Sequence, residues 1–332
     1  MHKERNSNIE LMRIIAMLFI ISHHFLVHGM KIWEDTSWDN LTLLSIDSFF
    51  FVGVNVFVLI SGYSRIRFDL NKLLRIYVLT AIIGGVGYFA HLLIDNASLG
   101  RSLLYNTIFS ISHTPGTWFI KTYIFLFLLS PILNTALDHF DKKQMRLVLL
   151  LLTGLCVYFG WFWQDNVNKD GYNLINFIWI YFIGYYLRHY YDVKKLKPIY
   201  YLVVWGIASI SNAILFIVYD KYVAWTYNNP LVVLAAIALF LFFVSFNFSS
   251  KPINFIAQST LGIYLLHENA YLSPLLYKPQ CIQYYSTNIF NFIISVLTIF
   301  FVCALIDNVL RHFIANPILK IPPVFARKHN KS

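Results

Sequence analysis

Asn8-Ile-Glu10-Leu-Met-Arg13-Ile-Ile-Ala-Met-Leu-Phe-Ile-Ile-Ser22-His23-His24-Phe25 is an apolar run that carries one arginine and two histidines. Continued to His28, it is long enough for a helix across a bilayer, which needs about 20 mainly apolar residues in a core roughly 30 Å thick. Similar runs fill the chain. They predict spans near 8–28, 42–64, 75–95, 117–137, 147–163, 172–190, 199–218, 229–248, 256–276 and 287–312. The ninth is the least regular, because His267, Glu268 and Asn269 interrupt it. The expected fold is all-α: a polytopic membrane bundle of about ten transmembrane helices. It forms one domain over 1–332 with a short basic tail at 313–332.

Composition agrees. Of the 332 residues, 58% are hydrophobic and 13% charged, against about 25% charged in a soluble domain. The net charge of +10 raises the question of a nucleic-acid partner. None is expected, because the cations sit in short loops between apolar runs, where the positive-inside rule puts them. Roughly 19 of the 26 Lys and Arg fall on the side of the loops Arg65 to Arg75, Lys142 to Arg146, Arg188 to Lys197 and Lys251, with the two chain ends. Roughly six fall on the other side, and Arg13 lies within a span. That asymmetry predicts a cytoplasmic location for the first side and both termini. Arg13 also breaks the apolar start and no small-residue cleavage site follows, so the first span is expected to be retained.

Cys156, Cys281 and Cys303 are scattered, which fits small core residues and neither a disulfide framework nor a metal site. Trp33, Trp38, Trp161, Trp163, Tyr222, Trp225 and Tyr227 lie near span ends on the outer side and read as interface-belt aromatics. Tyr284 and Tyr285 read either the same way or as a lining for a sugar.

Charges inside a bilayer cost from about 3 kcal/mol upward at a helix centre and are functional candidates by default. Arg13 and His24 are eleven residues apart, just over three turns, and so share a face about 16 Å apart along the axis. Glu10 lies one turn before Arg13 and His28 one turn after His24, whereas His23 points about 100° away. A core histidine bonded to a neighbouring helix is the plain reading of His24, and the aligned Arg13 favours a site. In the second span, Gly53, Ser61 and Gly62 permit close helix approach. Arg65 and Arg67 read as membrane-side anchors. Lys72 and Arg75 place two cations on adjoining turns, suited to phosphate.

Several of these stretches together resemble acyltransferase family 3. They are the Arg13 to His24 spacing, Gly53-Val-Asn55-Val-Phe-Val-Leu-Ile-Ser61-Gly62-Tyr63 and Lys72-Leu-Leu-Arg75-Ile-Tyr77. Trp118-Phe-Ile-Lys-Thr-Tyr123 before Ser130-Pro131, Phe182-Ile-Gly184-Tyr185-Tyr186 and Ser259-Thr-Leu-Gly-Ile-Tyr264-Leu-Leu-His267 complete the set. The resemblance implies ten membrane helices in a bacterial inner or plasma membrane. It also implies transfer of an acyl group, usually acetyl from acetyl-CoA, to a hydroxyl of a surface polysaccharide or lipid-linked saccharide. His24 would be the catalytic histidine, Arg13 its partner, and Lys72 and Arg75 the cations near the CoA phosphates. Two positions depart from the family pattern: Asn55 stands where Asp is frequent, and Lys72 where Arg is.

The expected partners are therefore acetyl-CoA, a glycan acceptor and membrane lipid, with no tightly bound cofactor and no metal. His24 acts either as general base towards the acceptor hydroxyl or as a transiently acetylated carrier. Glu268 is a candidate to orient a histidine, and Ser61, Trp118 and Tyr123 are candidates to line a tunnel. His267, His113 and His28 are candidates for a relay. An exporter or transporter is the reading from another class, although no paired half-sequences with matching broken helices are present. A glycan polymerase would need a larger outer loop than residues 95–116.

Overall fold

The computed structural model describes residues 6–32, 38–94, 117–219, 221–278 and 289–317. Trp33, His113, Cys281, Tyr284, Tyr285 and most of the basic tail lie outside the described residues. Among those described, the regular structure is helical throughout. α1 spans Ser7–His24 and runs on into a wider π-type turn, Phe25–Gly29. α2 (Trp38–Phe50) and α3 (Gly53–Ser64) form one bent rod. α4 is Leu70–Ile94, α5 Trp118–His139 and α6 Lys142–Thr153, the last extended by a π-type stretch to Phe162. α7 (Leu174–Tyr190), α8 (Pro198–Val218) and α9 (Pro230–Val244) follow. α10 (Lys251–Ile256) and α11 (Thr260–His267) are joined by a 3-10 turn, and α12 (Ile289–Leu310) ends the described bundle.

Local sequence sets many of the boundaries. Asp141 and Gln144 form a reciprocal capping box at the start of α6, with bonds of 2.7 and 2.9 Å. Asn173 accepts from the Ile175 and Asn176 amides to start α7. Asn229 caps α9 ahead of Pro230, whose missing N–H costs nothing in the first turn.

Among the described residues, seven helical rods are long and apolar enough to cross a bilayer. The remaining expected spans coincide with shorter pieces. α7 has 17 residues and α9 has 15, about 26 and 23 Å at 1.5 Å per residue. The expected span 256–276 is shorter than predicted: α11 stops at His267, and Glu268 caps it. Asn269 Oδ1 then accepts from the Tyr271 and Leu272 amides at 3.0 and 3.3 Å, which turns the chain away from the helix axis. The bundle's exterior is apolar where lipid would touch it: Leu150, Ile207, Val218, Leu305 and Phe313 are all more than 60% exposed. Water would not tolerate so broad an apolar surface on a monomer.

Close backbone approach builds the centre. α3 packs most extensively against α7. A Cβ added at Gly62 would strike the Tyr181 carbonyl, and one at Gly184 would strike the Leu59 carbonyl. Gly53 faces α1, where a Cβ would come within 2.9 Å of the Ala16 carbonyl. Small residues thus let α3 sit between α1 and α7 at backbone contact, as membrane helices require in the absence of a hydrophobic drive between them. Cys156 and Cys303 are buried, free thiols.

The aromatic belt needs a correction. Trp163 is 62% exposed, but Trp225 and Tyr227 are buried. Their segment folds back into the bundle because Trp225 Nε1 donates to the buried Asp47 at 2.9 Å and Tyr227 stacks on Phe51 with centroids 4.6 Å apart.

Candidate active site

α1 brings Arg13 and His24 to one face, and both line a single cavity of about 230 Å³. Its wall is aromatic: Phe57, Trp118, Phe119, Tyr123, Tyr227 and Tyr264, with Ser61, Thr260 and Ile76 between them. Trp118 lies against Tyr227 at 5.4 Å, and Phe119 stacks on Tyr123 at 5.9 Å. Such a wall suits an extended, mostly apolar arm with a polar group at each end.

At the His24 ring, two side chains converge. His24 Nδ1 lies 2.8 Å from Glu268 Oε1 and 3.1 Å from His267 Nε2. His267 Nδ1 sits 2.6 Å from the Ile263 carbonyl. A carbonyl oxygen only accepts, so Nδ1 of His267 carries the hydrogen and its Nε2 offers a lone pair. In neutral His24 the hydrogen therefore sits on Nδ1, facing Glu268 and His267, and Nε2 bears the lone pair. This fixes a tautomer and an orientation, the two requirements of a histidine base. The broken end of α11 makes the arrangement available: His267 occupies the last helical turn, and the cap position turns Glu268 back towards α1. Arg311, just past the end of α12 and paired with Asp307 at 3.1 Å, donates to Ser259 Oγ at 3.0 Å at the start of α11 and so ties the two segments.

His23 faces elsewhere. Its Nδ1 lies 2.9 and 3.0 Å from the two oxygens of Asp47, which is fully buried on α2. That pair, with Trp225, ties α1 to α2. Asp47 is a lone acid within an apolar run and was detectable by the same rule that singled out Arg13.

Glu10 is buried and pairs with Arg13 at 3.4 Å. Asn55 does not line the cavity; its amide donates to the Tyr227 carbonyl at 2.9 Å and so fixes one wall. Lys72 and Arg75 are exposed on the first turns of α4 and line neither of the cavities that Arg13 touches. Ile76, one turn after Lys72, does line the first, which puts Lys72 on the same face of α4 as the cavity-lining residue. Tyr227, Tyr264 and Phe119 were missed from sequence, since aromatic residues are common in every span.

His24, His28 and Glu268 bring three ligand atoms within 4.8 Å of one another, a set that zinc accepts. Without an ion, His24 Nδ1 already has polar partners in Glu268 at 2.8 Å and His267 Nε2 at 3.1 Å. Activity in membranes is therefore expected to survive dialysis against EDTA and 1,10-phenanthroline unchanged; a loss restored by added zinc would assign the cluster to a metal.

A family model described as an acyltransferase domain, that of acyltransferase family 3, matches residues 6–307. No curated protein and no solved structure matches the chain. The match takes in α1, α11 and most of α12, and with them every residue of the cluster around His24. The chain belongs to acyltransferase family 3.

Proposed function

We propose that this multi-pass membrane acyltransferase transfers acetyl from acetyl-CoA to a hydroxyl of a cell-surface polysaccharide or its lipid-linked precursor, with His24 as general base. The observation that carries this reading is the fixed His24 tautomer at one end of an aromatic-walled cavity whose lining also includes Arg13. Arg13 and His24 are separated by about 16 Å of helix, a length comparable to the pantetheine arm.

In this reading the donor's nucleotide end stays at the basic, cytoplasmic side and its thioester reaches His24. His24 Nε2 removes the proton from the acceptor hydroxyl as the oxygen attacks the thioester carbon. Glu268 stabilises the imidazolium that forms, as a buried carboxylate does for a catalytic histidine. The tetrahedral intermediate collapses, the carbon–sulfur bond breaks, and the CoA sulfur takes the proton from His24. The products are an O-acetyl ester and CoA.

The test uses host membranes containing the protein, radiolabelled acetyl-CoA and endogenous glycolipid. Label is expected in glycan with wild type and is expected to vanish with His24→Ala at equal expression. Labelling by His24→Ala at the wild-type rate would end the assignment.

A further inference from the structure

Arg13 also lines a second cavity, of about 380 Å³, with Asn6, Glu10, Tyr63, Arg65, Arg67, Arg188 and His189. Four arginines face one glutamate there, and that glutamate is already paired with Arg13. Arg65 is also neutralised: Asp138 lies 2.7 Å from its Nη1, a hydrogen bond that raises the guanidinium's pKa. Arg67 and Arg188 have no carboxylate partner among the described residues. Arg188 lies over the Tyr63 ring, 4.8 Å from its centroid, which orients the guanidinium without neutralising it.

The wall that carries Arg67 is built rather than loose. Arg65 holds a backbone φ of +56°, a region that side-chain-bearing residues seldom adopt. The next residue is pinned on both sides of its peptide: the Ile66 amide donates to Tyr181 Oη at 3.0 Å, and Asn134 Nδ2 donates to the Ile66 carbonyl at 2.7 Å. Asn134 and Asp138 come from α5 and Tyr181 from α7, so two helices hold one strained turn. Such strain persists where the surroundings over-determine it, and it clusters at ligand clamps. An excess of guanidinium groups gathered next to a tunnel calls for a multiply charged anion.

We infer that this arginine vestibule, with Arg67 and Arg188 as its free cations, holds the phosphates of the acyl donor's nucleotide end. The assignment rests on the acetyl-CoA reading and departs from it in one respect: the principal phosphate ligands are Arg67 and Arg188 rather than Lys72 and Arg75. The 3′-phosphate monoester is the most highly charged group of CoA and the one that a pair of free guanidinium groups would hold most strongly. Anionic lipid headgroups share that chemistry, and the test separates the two.

Dissociation constants for CoA, 3′-dephospho-CoA and pantetheine are measured on protein in phosphatidylcholine nanodiscs, with no acceptor present. Wild type is expected to bind CoA at least about 10-fold more tightly than 3′-dephospho-CoA, the scale of one charge-assisted hydrogen bond. Arg67→Ala and Arg188→Ala are expected to weaken CoA about 10- to 100-fold, to leave pantetheine unchanged and to erase the preference for the 3′-phosphate. Arg188→Lys keeps the charge but loses the stacked fork and is expected to fall between.

Wild-type affinity and preference in both alanine variants overturn the vestibule while leaving the donor reading intact. Retained preference, with a defect confined to stability in phosphatidylglycerol nanodiscs, also overturns it and assigns the arginines to lipid. Absence of CoA binding by wild type removes the donor reading, and the vestibule assignment with it.

Discussion

Glu268→Gln is expected to lower turnover by about 10²- to 10⁴-fold, the range spanned by general acid–base assistance and by loss of the carboxylate behind a catalytic histidine. Glutamine keeps the size of Glu268 and can still accept from His24 Nδ1 across the 2.8 Å gap. It cannot offer the charge that stabilises an imidazolium. Affinity for CoA should stay within about twofold, because Glu268 does not line the vestibule. The two residues act as one unit, so the double variant His24→Ala/Glu268→Gln should be no slower than His24→Ala alone. Rates are read from labelled acetyl transfer at saturating donor. Multiplying losses in the double variant, or full turnover by Glu268→Gln, would show that the contact between them is architectural only.

Gly62→Val is expected to leave no monodisperse protein in a detergent extract, and Gly184→Val the same. At each position the added Cβ meets backbone carbonyl of the facing helix, Tyr181 in one case and Leu59 in the other. A side-chain obstacle would swing aside, but a carbonyl within a hydrogen-bonded helix cannot. The helices must separate, at a cost at or beyond the upper end of the about 1–3 kcal/mol typical of overpacking. Gly206, on α8, has nothing within 4 Å of its built Cβ and supplies the control. Gly206→Ala should give a wild-type yield and elution profile. A folded, active Gly62→Val would mean that α3 and α7 do not meet at backbone contact.

These two predictions differ in how far the sequence foreshadowed them. Gly62 stands in a small-residue stretch whose reading as a close-approach site needs only the chain itself; its partner Gly184, 122 positions away, does not follow from that reading. Likewise, the alignment of Arg13 with His24 follows from helical geometry within one span, and the cavity that they share agrees with it. Glu268 was visible as a charge interrupting an apolar run, but which histidine it serves depends on where α11 breaks. Arg67 and Arg188 illustrate the opposite case. As loop cations they are indistinguishable in sequence from any positive-inside anchor. Only the strained turn at Arg65 and the packing of Tyr63 under Arg188 gather them on one wall.

Asp47 and Tyr227 show the same division. A lone acid in an apolar span signals a buried partner, yet the partners His23 and Trp225 lie 24 and 178 positions away. Tyr227 carries no signal, because the apolar context that places a tyrosine at a membrane surface also fits one turned inward.

The amino-acid sequence by itself determined that this chain is a helical membrane bundle, that α1 bears a charged and basic stripe, and that its family is an acyltransferase family. The first two rest on hydropathy, charge asymmetry and periodicity within single segments, and the family on the motifs those segments carry and the family match over residues 6–307; none of these needs a contact between segments. The tertiary structure alone decided which nitrogen of His24 is free, which acid stands behind it, and which arginines share a cavity with Arg13. Those are relations between segments far apart in the chain, and they are set by close backbone packing and by the break in one helix, which no local pattern encodes.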